Sequence, residues 1–135
     1  MPATPLQDIK PSQIVTGIRE WVALETPPND VPKLQEFAEL ASYQARQAGL
    51  SVELLPMGDS KQPMVRIRAD AEQDEKAVLV LAHYDTVHPI GTVERNKLRV
   101  EGDKMFGPGT YDMKAGGYLA LQAMAALYKE RKPQR

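Results

Sequence analysis

One stretch constrains this chain more than any other. An unbroken apolar run, Ala77-Val78-Leu79-Val80-Leu81-Ala82, ends abruptly at His83-Tyr84-Asp85. The run is too short to span a membrane and is rich in valine and leucine. It therefore predicts a strand from Lys76 to Ala82 buried on both faces. Strands of that kind belong to a sheet covered by helices, so the expected class is α/β, with a mixed, largely parallel sheet flanked by helices. In such sheets ligands sit in the crevice beyond the carboxyl ends of the strands. That rule puts a site at His83 and Asp85.

The spacing sharpens the expectation. Positions i and i+2 of an extended segment point to the same face. An imidazole that binds a metal through one nitrogen usually donates its other N–H to a carboxylate, which fixes tautomer and orientation. Asp85 is placed for that role beside His83. Further on, Gly107-Pro108-Gly109 marks a loop, and Asp112 precedes a helical pattern that starts at Met113. A carboxylate there sits near the positive end of the helix dipole and can also meet a cation. His83 and Asp112 are 29 residues apart, and a strand, loop, hairpin and loop can return the chain to the same rim. Taken singly, a histidine after a strand is usually a hydrogen-bonded surface residue, and an aspartate before a helix is usually an N-cap. The combination of the two with the Gly-Pro-Gly loop points to a metal site.

These residues also carry a resemblance. His83-Tyr84-Asp85-Thr86-Val87 together with Gly107-Pro108-Gly109-Thr110-Tyr111-Asp112-Met113-Lys114-Ala115-Gly116 resembles the signature pair of the co-catalytic zinc carboxypeptidases and amidohydrolases. That group includes glutamate carboxypeptidase, aminoacylase, acetylornithine deacetylase and succinyl-diaminopimelate desuccinylase. The segment Arg99-Val100-Glu101-Gly102-Asp103-Lys104 is most similar to the glutamate carboxypeptidase branch. The resemblance implies a zinc exopeptidase-like catalytic domain holding two zinc ions, with other divalent cations such as cobalt as substitutes. It assigns His83 to one ion, Asp112 to a bridge between both, and a catalytic supporting role to Asp85, which orients His83. Zinc lowers the pKa of water it binds to about 7, and the second ion polarises the scissile carbonyl.

The same group needs a Glu-Glu pair, one member acting as general base, as well as a further acidic ligand and a late histidine. None is found here, and the pair is expected after the next strand, beyond Arg135. Residues 1–135 therefore read as the N-terminal portion of a truncated catalytic domain, without its C-terminal part or its dimerisation and lid domain. The implied activity is zinc-dependent hydrolysis of a C-terminal peptide bond or an N-acyl amino acid amide bond. It belongs to a longer parent that forms a homodimer through the absent domain, and the present chain is expected to be inactive. Two alternatives stay open: a non-catalytic metal-binding or interaction module of the same fold, and a structural relic without metal.

Composition narrows the partners. The 135 residues are 42 % hydrophobic and 26 % charged, ordinary for a globular domain with a core. Seventeen basic and eighteen acidic residues give a net charge of −1, which suggests neither nucleic acid nor an anionic membrane as partner. The expected partner is a small peptide or N-acyl amino acid. There is no cysteine, which excludes disulfides and thiolate ligands. Met1-Pro-Ala-Thr-Pro-Leu-Gln-Asp8 lacks a basic start and an apolar core, so it is not read as a secretory signal. The expected compartment is cytoplasmic, or periplasmic if a leader has been removed.

Residues 1–10 read as a loose lead-in. Ser12 is the expected cap of a first helix, with Ile14, Ile18, Trp21 and Val22 on one face. Glu25 to Asp30 is either a simple connection or part of the site rim. Asn29 or Asp30 should cap a second helix over 31–48, stopped by Gly49. Strands follow at 50–55 and 64–69, with Arg66 and Arg68 on a solvated face and a loop at 56–62. An acidic turn spans 70–75. His88, five residues after His83, lies beside Pro89 in a rigid loop and is not expected to bind metal. Gly102-Asp103 marks a hairpin between 98–101 and 104–106. Tyr111 either lines the pocket or packs beneath it. A last helix should run from Met113 to about Arg131, packed through Ala120, Ala123, Met124 and Leu127 and ending in a basic run. Gly116 and Gly117 in its first turns imply a close approach.

Overall fold

The computed structural model describes residues 9–69 and 77–131. Residues 1–8 of the expected lead-in, the acidic turn at 70–75 and the basic end beyond Arg131 lie outside these residues.

Helix α1 spans Pro11–Ala23. Ser12 does not cap it. Pro11 occupies the first turn, where its missing N–H costs nothing and its fixed φ suits the helix. The Lys10 N–H is taken up by the Gln13 side chain at 3.1 Å. Helix α2 spans Val31–Gln47, and Asp30 caps it by accepting from the Lys33 N–H at 3.1 Å. At its other end Gly49 has φ +82° and donates to the Arg46 carbonyl at 2.9 Å. This is the left-handed stop expected of glycine.

Strands β1 (Ser51–Met57) and β2 (Gln62–Arg68) pair antiparallel, with Val52 opposite Ile67 and Leu54 opposite Val65. The strands run farther toward the turn than expected. Pro56 and Pro63 face each other there, at an edge where a missing donor is tolerated. Val52 and Ile67 pack toward the core, whereas Arg66 points to solvent and pairs with Glu53 at 2.6 Å. A four-residue helix, α3 (Thr92–Arg95), has no signature in the apolar pattern. Strands β3 (Arg99–Glu101) and β4 (Lys104–Phe106) form the expected hairpin around Gly102. Helix α4 covers Ala115–Arg131 and starts later than predicted, because Asp112 and Met113 hold non-helical φ/ψ in the preceding turn.

The core lies where α1, α2 and α4 meet. Trp21 packs edge-on against Phe37 (4.9 Å between centroids) and against Tyr118 (5.2 Å). Ile18, Val22, Ala41, Ala45, Leu50, Leu121 and Ala125 complete it. The packing face of α4 differs from the expected stripe. Tyr118, Leu121, Ala125 and Ala126 are buried, while Ala123 and Leu127 are exposed. Apolar residues surround this helix, so its pattern alone does not select a face. Gly117 is the glycine that needs its close approach, since a Cβ there would meet the Trp21 ring at 3.2 Å.

Helices and strands are mixed as expected, but every strand pairing among the described residues is antiparallel. The segment 77–82 requires correction. It forms no strand, and it is exposed, Val78 at 91 % and Leu81 at 79 %. A strand needs lateral hydrogen-bonding partners, and both hairpins satisfy themselves locally. Neither hairpin takes it up as a third strand. None of the helices described is long and apolar enough to cross a membrane.

Candidate active site

The site stands at the polar end of segment 77–82. Tyr84 anchors that end. Its ring stacks on Phe37 at 4.8 Å, and its hydroxyl donates to the Pro63 carbonyl. Burial, with the Asp85 charge adding to it, pushes the Tyr84 phenol up to about 12, so it stays protonated as a donor. With Tyr84 turned inward, its neighbours His83 and Asp85 turn out into solvent.

The second arm is the turn Thr110–Lys114. Gly109 enters it with φ +74°, and the Lys114 N–H closes it on the Gly109 carbonyl at 3.0 Å. Lys114 is the anchor here and is only 1 % exposed. Its Nζ donates to the carbonyls of Trp21 (3.1 Å) and Leu24 (2.5 Å) and lies 4.8 Å from the centre of the Phe37 ring. Those carbonyls lie at the C-terminal end of α1, where a cation is favoured. Burial brings Lys114 down to about 8, against the opposing pull of Glu25. Sequence reasoning missed this residue, because a lysine next to a helix start reads as surface.

Between the arms the three residues singled out from sequence come together. His83 Nε2 lies 2.9 Å from Asp112 Oδ1. On the other side of the ring, Nδ1 is 3.2 Å from Asp85 Oδ1 and 3.1 Å from the Asp85 carbonyl oxygen. Burial pushes the His83 pKa down, but the hydrogen bonds to the Asp85 carbonyl and Asp112, with both carboxylate charges, outweigh it. The net shift is upward from the ordinary value. Both ring nitrogens thus face acceptors.

Tyr111 neither lines a pocket nor packs beneath one, being almost fully exposed. His88 sits in a small crevice with Thr86, Pro108 and Lys114. Glu25 spans the gap from the α1–α2 connection to the start of α3. Its carboxylate accepts from the N–H groups of Gly91 (2.8 Å) and Val93 (2.9 Å), and these bonds hold its pKa below the ordinary value.

The donor set suits zinc in kind. An imidazole nitrogen and a carboxylate oxygen are both accepted zinc ligands, and a carboxylate behind the imidazole is the usual support. Bonds of about 2.0–2.2 Å in tetrahedral array set two ligating atoms slightly farther apart than 2.9 Å, so the pair would open only a little. Two donors are fewer than a catalytic zinc normally takes. Among the described residues no group of three or more His, Cys, Asp or Glu side chains converges on one point.

Comparison with known proteins bears on this arrangement directly. Residues 79–135 match the family model described as peptidase family M20/M25/M40. The chain's likeness is to the M20/M25/M40 peptidases. The matched stretch contains His83, Asp85 and Asp112, and it begins inside the exposed apolar run. Carboxypeptidase G2 of Pseudomonas sp. (strain RS-16) is 28 % identical over 125 residues, which is 89 % of this chain and 29 % of that protein. The chain thus spans under a third of the length of this relative, and its similarity extends well upstream of the family match, over α2 and the β1–β2 hairpin. The glutamate carboxypeptidase-like reading of the motifs agrees with both comparisons.

Proposed function

We propose that this chain supplies part of the metal site of a zinc-dependent peptidase that cleaves a C-terminal peptide bond or an N-acyl amino acid amide. The observation that carries the reading is the convergence of His83 and Asp112, with Asp85 behind the imidazole. The family match to peptidases and the likeness to a carboxypeptidase support it. In this reading His83 Nε2 and the Asp112 carboxylate would hold the metal. Asp85 keeps the Nδ1 proton in place so that Nε2 offers its lone pair. When bound, zinc supplies an activated water and polarises the scissile carbonyl. The substrate is a small peptide or N-acyl amino acid, the active form is a homodimer, and the compartment is the cytoplasm.

One observation favours a second reading, a non-catalytic module of the same fold: among the described residues no group of three or more His, Cys, Asp or Glu side chains is gathered as a metal site. Zinc titration followed by NMR of the 135-residue chain separates the two. The metal reading expects the His83 ring and Asp112 signals to respond first, Asp112→Ala to abolish the response, and Asp85→Ala to weaken it by about 10–100-fold. With two ligands the affinity is expected to be weak and hydrolysis of N-acyl glutamates absent. A response centred away from His83 and Asp112, or none at all, rejects the metal reading.

A further inference from the structure

The contact between His83 and Asp112 joins two irregular segments. Residues 77–86 belong to no strand, and the 110–114 turn is non-helical at Asp112 and Met113. Both side chains are open to solvent, and an exposed ion pair contributes little to holding such segments together. Something else must set their separation. Three consecutive residues between α1 and α2 grip everything around the site. The Leu24 carbonyl accepts from Lys114 Nζ, two residues beyond Asp112. The Glu25 carboxylate takes the Gly91 and Val93 N–H groups. The Thr26 hydroxyl donates to the Tyr84 carbonyl at 2.5 Å, and the Thr26 carbonyl accepts from the Thr86 N–H at 2.8 Å. Thr26 therefore fixes the peptide units on both sides of Asp85. It is wholly buried, and Thr86 and Lys114 are buried with it. The arms also touch directly, because Gly109 lies so close to the Thr86 methyl that a Cβ would come within 2.5 Å of it.

We infer that Leu24-Glu25-Thr26 is the clasp that sets the geometry of the His83–Asp112 pair, with Thr26 and Lys114 as positioning residues. The inference rests on the proposed metal site for its functional meaning, but not for its geometry. Thr26, Thr86 and Lys114 are themselves buried, so the bonds they make are better shielded from water than the exposed pair. A buried hydroxyl and a buried ammonium, each bonded to backbone carbonyls from another segment, behave as cross-links between segments far apart in sequence. Removing either should free one arm while leaving the helices and the β1–β2 hairpin in place.

The test uses the 135-residue chain. Thr26→Val removes the hydroxyl at nearly constant shape, and Thr26→Ser keeps it. The nuclear Overhauser contact between the His83 ring and the Asp112 β protons is expected to vanish in the valine variant. It should persist in the serine variant, with β1–β2 amide signals unchanged in both. Any zinc response should weaken by at least about tenfold in the valine variant alone. Lys114→Met cuts the other end and should also erase the contact. Persistence of the contact in both Thr26→Val and Lys114→Met overturns the clasp. Should neither variant fold, hydrogen exchange in the unmodified chain decides: a Thr86 amide exchanging as fast as an exposed loop overturns it, and protection supports it. If the unmodified chain shows no zinc response, the metal reading fails, while the contact and the Thr86 amide still decide the clasp.

Discussion

Asp112 meets His83 Nε2 at 2.9 Å while Asp85 lies 3.2 Å from Nδ1, so one imidazole is held between two carboxylates from different parts of the chain. The folded state therefore favours the imidazolium, and the His83 pKa is raised. A raised folded value means extra stability below the ordinary histidine pKa, lost as pH rises through the folded value. Melting temperatures of the unmodified chain and of His83→Gln, measured across pH 5 to 9, should differ most at the acid end and converge at the alkaline end. A constant gap would contradict the pairing. Zinc competes with the Nε2 proton, so zinc response should strengthen as pH rises through the same range.

Lys114 has the opposite sign. Its folded pKa lies near 8, below the ordinary lysine value of 10.5, because burial penalises the charge. Between those values the unfolded chain holds the proton more tightly, so stability should rise with pH in that window. Lys114→Met should remove the rise. It should also lower stability at neutral pH, by about 1–3 kcal/mol, because the Trp21 and Leu24 carbonyls lose their donor. Urea denaturation at several pH values between 7 and 10.5 checks both.

Gly109→Ala should be costly for two independent reasons. The position has φ +74°, which an L side chain resists, and the added methyl would meet the Thr86 side chain at 2.5 Å. The expected loss exceeds about 1 kcal/mol in urea denaturation. A comparable alanine at Gly58, which also has positive φ but open space around it, isolates the steric part.

The exposed run at 78–81 predicts self-association. Contiguous apolar side chains open to solvent invite association between chains. Val80→Lys should shift the chain toward monomer in sedimentation velocity without lowering its melting temperature, since Val80 packs on little. An unchanged distribution would show that the run is not the contact.

Much of this protein was legible from local chemistry. Asp30 and Gly49 bound α2 because a cap and a left-handed stop are properties of a few neighbouring residues. The Gly102 hairpin follows from the same locality. His83 and Asp85 stood out because ligand chemistry ends an apolar run, and Asp112 because it follows a Gly-Pro-Gly loop at the entrance to a helix. Other features misled for a physical reason. The 77–82 run has a strand's composition, but a strand is a pairing, and composition does not supply the partner. Helix α4 is apolar on several sides, so only contact with Trp21 and the α1 surface selects Tyr118, Leu121 and Ala125 as its inner face.

The sequence by itself singled out the candidate residues and where the local stops and caps fall, since these depend on side-chain type and short spacing. Only the tertiary structure decided what holds the chemistry in place. Lys114 became a buried anchor because the ends of α1 and the 110–114 turn meet. Thr26 became the grip on both sides of Asp85 because a connection between two helices passes beneath the site. Each of those roles depends on a backbone carbonyl far away in sequence, and every residue has one. No side-chain pattern could mark which carbonyls would be there.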